Sequence, residues 1–238
     1  MARNIRASGT PDDIPIVVLV TNDVPNHILQ RLIDAKTVPI QIEPWRRAGV
    51  SDLTWVDSLA KLRIFEERGY ERVIYLDSDA WLHRNLDHLF AMAGDAVLWA
   101  PRAYYLGEKY QFGSTLLVIT PSNALFDKIQ EAMKNAPKPD YFDMDVLNDL
   151  WRYDCGYLPS HYVVLTSTLD EDSTFGFATK AERIRKTYIH HFSMVNGLQK
   201  PWFVAEFHLR DRDPNWEPLF YDLFDMYWKA EPELCAWL

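Results

Sequence analysis

The chain has 238 residues, 48% of them hydrophobic, 25% charged and 14% aromatic, which suits one α/β domain with a full core and lies far from the composition of disorder. Its formal net charge of −9 lacks the basic footprint of a sequence-independent nucleic-acid binder. No apolar run approaches the roughly 20 residues that cross a bilayer, so no membrane span is expected.

Residues 1–11 lack the apolar stretch of a secretory signal. The compartment stays open between the cytoplasm and, for a chain cut from an N-terminal anchor, a Golgi lumen. Residues 14–21 (IPIVVLVT) form a β-branched run ahead of Asn22 and Asp23 and read as a buried parallel strand opening into a polar loop. Residues 25–35 carry Ile28, Leu29, Leu32 and Ile33 at helical spacing, and 38–42 read as a second strand, completing a βαβ unit. Residues 55–68 place Val56, Leu59, Leu62 and Phe65 in an amphipathic helix that Gly69 ends. The strand 72–76 (RVIYL) follows and stops on Asp77-Ser78-Asp79.

Residues 96–100 and 114–120 are the next strands, and Pro121 opens a helix running to 133. Residues 143–152 have helical periodicity behind an acidic start, 163–165 read as a short strand, 186–192 as the last strand, and 216–228 as an aromatic C-terminal helix. The alternation of strands and helices predicts a mainly parallel, helix-covered sheet with ligands at the carboxyl ends of its strands. Cys155 and Cys235 stand 80 residues apart with no metal spacing between them, and free thiols are favoured over one disulfide.

Side chains two apart on an extended backbone point the same way, so Asp77 and Asp79 can converge on one hard divalent cation at the strand's end. A dehalogenase-type phosphatase would also carry an acidic pair behind a strand, but Ala80-Trp81 follows here where that signature continues with Gly-Thr. His190-His191 closes the last strand, and an imidazole beside two carboxylates favours Mn²⁺ over Ca²⁺. Lys200, before Pro201-Trp202, is a candidate cation for a phosphate. His83 and His88 read as the exposed face of a following helix, and Arg183, Arg185 and Lys186 as a solvated strand entry. The aromatics from Trp216 to Trp228 read most simply as core, with a ligand-stacking face as the alternative for Trp202 and Trp216.

The ordered set of motifs resembles glycosyltransferase family 8, the glycogenin-like family. Residues 18–23 (VLVTND) are similar to its opening strand and uracil-contacting loop, Lys61 stands where it places a phosphate-contacting lysine, and Tyr75-Leu76-Asp77-Ser78-Asp79 matches its metal motif. Residues 85–90 (NLDHLF), His191-Phe192 and Lys200-Pro201-Trp202 complete the series. Residues 101–105 (PRAYY), 143–148 (DMDVLN) and 191–193 (HFS) are closer in style to the fungal glucose N-acetyltransferase branch, which adds N-acetylglucosamine. Two departures stand out: Phe112-Gly113-Ser114-Thr115 where glycogenin-like members have Phe-Asn-Ser-Gly, and Asp143-Met144-Asp145 where they have Asp-Gln-Gly.

The resemblance implies a single GT-A domain over 1–238, Rossmann-like, with helices on both faces of the sheet, a nucleotide-binding half at about 14–100 and a sugar and acceptor half at about 101–238. It implies transfer of GlcNAc, glucose or galactose from a UDP-sugar, with retention, to an acceptor that is a glycan, a protein or a small molecule. Front-face attack and double displacement both stay open, and oligomeric state is not read from the sequence. Mn²⁺ or Mg²⁺ would sit on Asp77, Asp79 and His191. Thr21, Asn22, Asp23, Lys61, Ser78, Ser114 and Lys200 would contact the donor, and Asp143, Asp145 and Lys200 are the catalytic candidates. If 143–144 opens a helix, both carboxylates have an alternative reading as partners of its dipole, Asp145 more than Asp143, which leaves Asp143 the better catalytic candidate. The alternative function is a nucleotide-sugar-binding protein with little or no turnover, suggested by the missing amides at Gly113 and Met144.

Overall fold

The structure is a computed structural model that describes residues 1–51, 55, 57–107, 109–169, 174, 176–194, 199–204 and 212–234. The N-terminal part runs through helix α1 (Ala2–Ala7), strand β1 (Ile16–Val20), helix α2 (Asn26–Asp34) and strand β2 (Thr37–Gln41). β1 and β2 pair in parallel from Ile16↔Thr37 to Val20↔Gln41, the geometry a crossover helix imposes. Residues Ser58–Phe65 then form a 3-10 helix rather than the expected α-helix. Leu59, Leu62 and Phe65, all almost fully buried, recur every third residue, the repeat of a three-residue turn. Val56 lies outside the described residues.

Strands β3 (Val73–Leu76), β4 (Ala80–Leu82), β5 (Leu98–Pro101) and β6 (Leu116–Ile119) follow, then helices α3 (Asn123–Lys134) and α4 (Asp143–Trp151). Strands β7 (Cys155–Leu158) and β8 (Val163–Leu165), helix α5 (Lys180–Lys186), strand β9 (Ile189–His191) and helix α6 (Pro218–Leu234) complete the order. The central sheet runs β3-β6-β5-β7 and a second sheet runs β4-β9-β8.

The α/β class and a single layered core agree with expectation, but pairing is mixed rather than mainly parallel. β5–β7 and β8–β9 are parallel, whereas β3–β6, β5–β6 and β4–β9 are antiparallel. β5 and β6 are joined by a loop with a 3-10 turn at Tyr104–Leu106 and an Arg102↔Phe112 bridge, so no crossover helix forces them parallel. The stretch from Lys180 to Lys186, whose end was expected in a strand, is helical: Thr179 caps it by accepting the Glu182 N–H at 3.0 Å.

Period-two alternation explains the layering. In β6, Leu117 and Ile119 face α3, α4 and the 3-10 helix, while Leu116 and Val118 face the second sheet, and all four are fully buried. One face of the central sheet is therefore covered by helices and the other by β4, β8 and β9, beyond which α6 packs on Val164 and Phe192. Trp99 of β5 lies across Gly156 of β7, where a Cβ would fall inside van der Waals contact of the indole. Among the described residues no helix is long and apolar enough to cross a membrane.

Candidate functional site

The site forms where the chain leaves one sheet for the other. β3 ends at Leu76, and the Asp77 N–H donates to the Thr115 carbonyl at 3.0 Å, extending the β3–β6 ladder by one residue. Ser78 turns outward, and Ala80 begins β4 opposite His191 of β9. The Phe192 N–H donates to the Asp79 carbonyl at 2.9 Å, locking the end of β9 against the acidic turn. A residue more than a hundred positions downstream is thus brought to the two carboxylates by strand register.

Asp77, Asp79 and His191 each offer a ligand atom, and these atoms lie within 4.8 Å of one another. His191 Nε2 is 3.2 Å from Asp79 Oδ1, and Lys200 donates to Asp79 Oδ2. Burial alone would raise the Asp79 carboxyl, but the His191 and Lys200 contacts outweigh it and hold it well below the ordinary range. His191 Nδ1 is buried with no hydrogen-bond partner among the described residues. Two carboxylates with the His191 imidazole beside them fit a divalent cation of the Mn²⁺ or Mg²⁺ type.

Lys61 reaches the same centre from the 3-10 helix. Its Nζ stands 2.8 Å from Asp77 Oδ1, 3.1 Å from Asp143 Oδ2 and 3.2 Å from Ser114 Oγ, with 13% of the side chain exposed. Burial pushes its pKa down, but Asp143 and Asp77 more than offset this and leave it above the usual lysine value. Ser114 donates to Asp143 Oδ2 at 2.5 Å, and the Tyr75 hydroxyl to Asp77 Oδ1 at 2.6 Å. Tyr75 stands two residues before Asp77, on the same side of the strand, a signal that periodicity could have exposed.

Three residues are placed differently from expectation. Asp145 turns away from this cluster: its carboxylate accepts the Phe142 N–H at 3.0 Å as the helix cap, and Lys138 lies 3.7 Å from it. Only Asp143, at the first position of α4, is drawn in. His83 does not lie on an exposed helix face; it follows β4, stacks on buried His190 at 6.2 Å, and burial lowers its pKa to about 4. Exposed His88 shares a 2.8 Å hydrogen bond with the Tyr162 hydroxyl. Arg183 is 1% exposed, with its guanidinium 4.7 Å from the Tyr104 ring, so it is no solvated residue.

Thr21, Asn22 and Asp23 sit at the carboxyl end of β1, where Thr21 donates to Asp23 and Asn22 to Glu43 Oε1 at 2.7 Å. Trp202 is 36% exposed and lies under Lys200 Nζ at 5.5 Å, whereas Trp216 packs beside the α6 core. Cys155 is a free thiol, and Cys235 lies outside the described residues.

No family model matches the chain. It is 32% identical over 189 residues to glucose N-acetyltransferase 1 of Gibberella zeae, covering 74% of this chain and 41% of that protein. It is 30% identical over 216 residues to glucose N-acetyltransferase 1 of Aspergillus fumigatus, covering 82% of this chain and 56% of that protein. The chain therefore spans about half the length of these curated relatives. Among solved structures, the galactosyltransferase LgtC in complex with donor and acceptor sugar analogs aligns with a TM-score of 0.63 at 17% identity, over 94% of this chain and 88% of that one. The shared architecture and the acidic turn with its histidine define a GT-A fold of the glycosyltransferase type. Within that fold class, the likeness to the two curated relatives supports the resemblance to the glycogenin-like glycosyltransferase family 8 that the motifs carry.

Proposed function

We propose that the chain is a retaining glycosyltransferase that moves a hexose or N-acetylhexosamine from a UDP-sugar to an acceptor, with a divalent cation held by Asp77, Asp79 and His191. The convergence of these three side chains, flanked by two lysines, is the observation that carries this reading. The bound cation, Mn²⁺ or Mg²⁺, would supply Lewis-acid neutralisation of the diphosphate.

The barrier in such a transfer is the departure of a diphosphate with growing negative charge, so fixed positive groups beside it lower the barrier most. Lys61 and Lys200 supply two, both already oriented by the carboxylates they contact. Tyr75 and Lys61 contact Asp77 from one side, and Lys200 and His191 contact Asp79 from the other, which orients both carboxylates. Thr21, Asn22 and Asp23 are assigned to the uridine and exposed Ser78 to the phosphates. Ser114 and Asp143, linked to each other, are assigned to the sugar, keeping its anomeric carbon aligned for the acceptor. The acceptor is a glycan, a protein or a small molecule.

The test is UDP release from a panel of UDP-sugars with Mn²⁺, with and without EDTA. Metal-dependent release from at least one donor is expected. Absence of both release and donor binding across the panel would remove the reading.

A further inference from the structure

His190 and His191 are neighbours on β9, and period-two alternation sends their side chains to opposite faces. His191 meets the acidic turn, whereas His190 is fully buried against Phe192, a ring that packs on Phe224 of α6. An imidazole sealed in such a layer loses its hydration and needs a partner in exchange. His190 Nε2 finds one in the Thr166 hydroxyl at 2.6 Å, while its Nδ1 has none among the described residues. Thr166 directly follows β8, is 1% exposed, and its hydroxyl also reaches the His191 carbonyl at 3.2 Å.

These contacts decide where the protons sit. Buried and stacked on the His83 ring, the His190 imidazole is neutral and carries one N–H. Were that proton on Nδ1, it would be a buried donor without a partner among the described residues, and the Thr166 hydroxyl would have to donate to Nε2 and abandon the His191 carbonyl. With the proton on Nε2, His190 donates to Thr166 Oγ1, the hydroxyl proton is released to the carbonyl, and only a ring lone pair goes unmatched. A buried N–H without an acceptor is the costlier fault. One chain of bonds therefore runs from His190 Nε2 through Thr166 Oγ1 to the His191 carbonyl.

The peptide at the end of that chain belongs to the candidate site. Its carbonyl accepts from Thr166, and its N–H, that of Phe192, donates to the Asp79 carbonyl at 2.9 Å. One residue on, Ser193 Oγ accepts the Ser167 N–H at 2.9 Å and donates to Ser167 Oγ at 3.0 Å. Residues 166–167 thus brace the turn from 191 to 193, and the peptide between His191 and Phe192 is gripped on both edges. We propose that Thr166 and His190 are positioning residues for the cation site, the Thr166 hydroxyl fixing this peptide so that the His191 imidazole faces Asp79. This rests on the assignment of His191 as a cation ligand made above.

The experiment has two arms, both on the full chain. Nitrogen-15 spectra of the histidine-labelled, metal-free protein read the His190 tautomer, with His190→Phe identifying the signal. The form protonated on Nε2 is expected, and protonation on Nδ1 instead overturns the inference, whatever the variants do. Calorimetric Mn²⁺ titration in the presence of UDP then compares wild type with Thr166→Val and Thr166→Ser, well below each protein's unfolding midpoint. Thr166→Val keeps the shape without the hydroxyl and should weaken Mn²⁺ binding at least about tenfold, whereas Thr166→Ser, which restores the hydroxyl, should stay within about threefold of wild type. A merely structural hydroxyl would lower the unfolding midpoint of Thr166→Val and leave the Mn²⁺ affinity of the folded protein unchanged. That result, or an equal loss in Thr166→Ser, overturns the inference alone. A wild type that binds no Mn²⁺ overturns the cation assignment, and this inference with it.

Discussion

Lys61 Nζ lies 2.8 Å from Asp77 Oδ1, and the two residues belong to different elements, a 3-10 helix and the end of β3. The ammonium is also the counter-charge of Asp143, so one cation balances two carboxylates that are 16% and 6% exposed. Replacing it with an apolar group leaves two poorly hydrated negative charges without their shared counter-charge, held only by the Tyr75 and Ser114 hydroxyls. Lys61→Met is expected to cost about 3–5 kcal/mol in urea unfolding of the metal-free protein. A loss under about 1 kcal/mol would mean that water already screens the cluster.

The depressed Asp79 carboxyl fixes a pH dependence. Its folded pKa lies below the ordinary value of 3.8 because His191 and Lys200 overcome the effect of burial. The unfolded chain therefore takes up the proton first, and Asp79's contribution is full above about pH 4 and fades as pH falls toward the folded value. In EDTA, the wild type should lose stability more steeply than Asp79→Asn below about pH 4, with parallel curves at neutral pH. Equal acid slopes would show that the Asp79 contacts do not persist in solution.

Asp143 and Asp145 share a helix turn but differ in what they touch. Asp145→Ala removes a backbone cap and should cost about 1 kcal/mol of stability while leaving UDP release within about twofold of wild type. Asp143→Asn keeps the volume but weakens the contacts to Lys61 and Ser114, and should lower turnover by at least about tenfold. The reverse ranking in a steady-state assay would move the sugar-binding role to Asp145.

Much of this was legible in the sequence. β1, β3 and β6 announce themselves as β-branched or leucine-rich runs, and the Asp77–Asp79 spacing marks a carboxylate pair at the end of β3, which the structure brings together through a turn at Ser78–Asp79 rather than along an extended segment. His191 follows from its place at a strand end. β7 was not foreseen, because Gly156 in its middle weakens strand propensity; the reason for that glycine is the Trp99 ring, a tertiary contact. β4 has only three residues, too few for a period to appear. The split of Asp143 from Asp145 depends on whether a helix-start carboxylate bonds its own backbone or a distant lysine, which spacing does not encode.

Gly156→Ala tests that packing directly. The new methyl would overlap the Trp99 indole, itself 7% exposed and with little room to retreat. A loss of about 1–3 kcal/mol is expected by thermal or urea unfolding. If stability stayed within about 0.5 kcal/mol of wild type, the β5–β7 contact would be looser than the structure shows.

The central claim is that the acidic turn and the β9 histidine hold one divalent cation together. Mn²⁺ titration of the full chain in the presence of UDP, followed by calorimetry and by the loss of free-Mn²⁺ paramagnetic resonance signal, reads this without turnover. The account predicts one UDP-linked Mn²⁺ per wild-type chain, and at least about a hundredfold weaker binding in both Asp79→Ala and His191→Ala. Wild-type-like Mn²⁺ affinity in those variants, or no binding by the wild type, would contradict it.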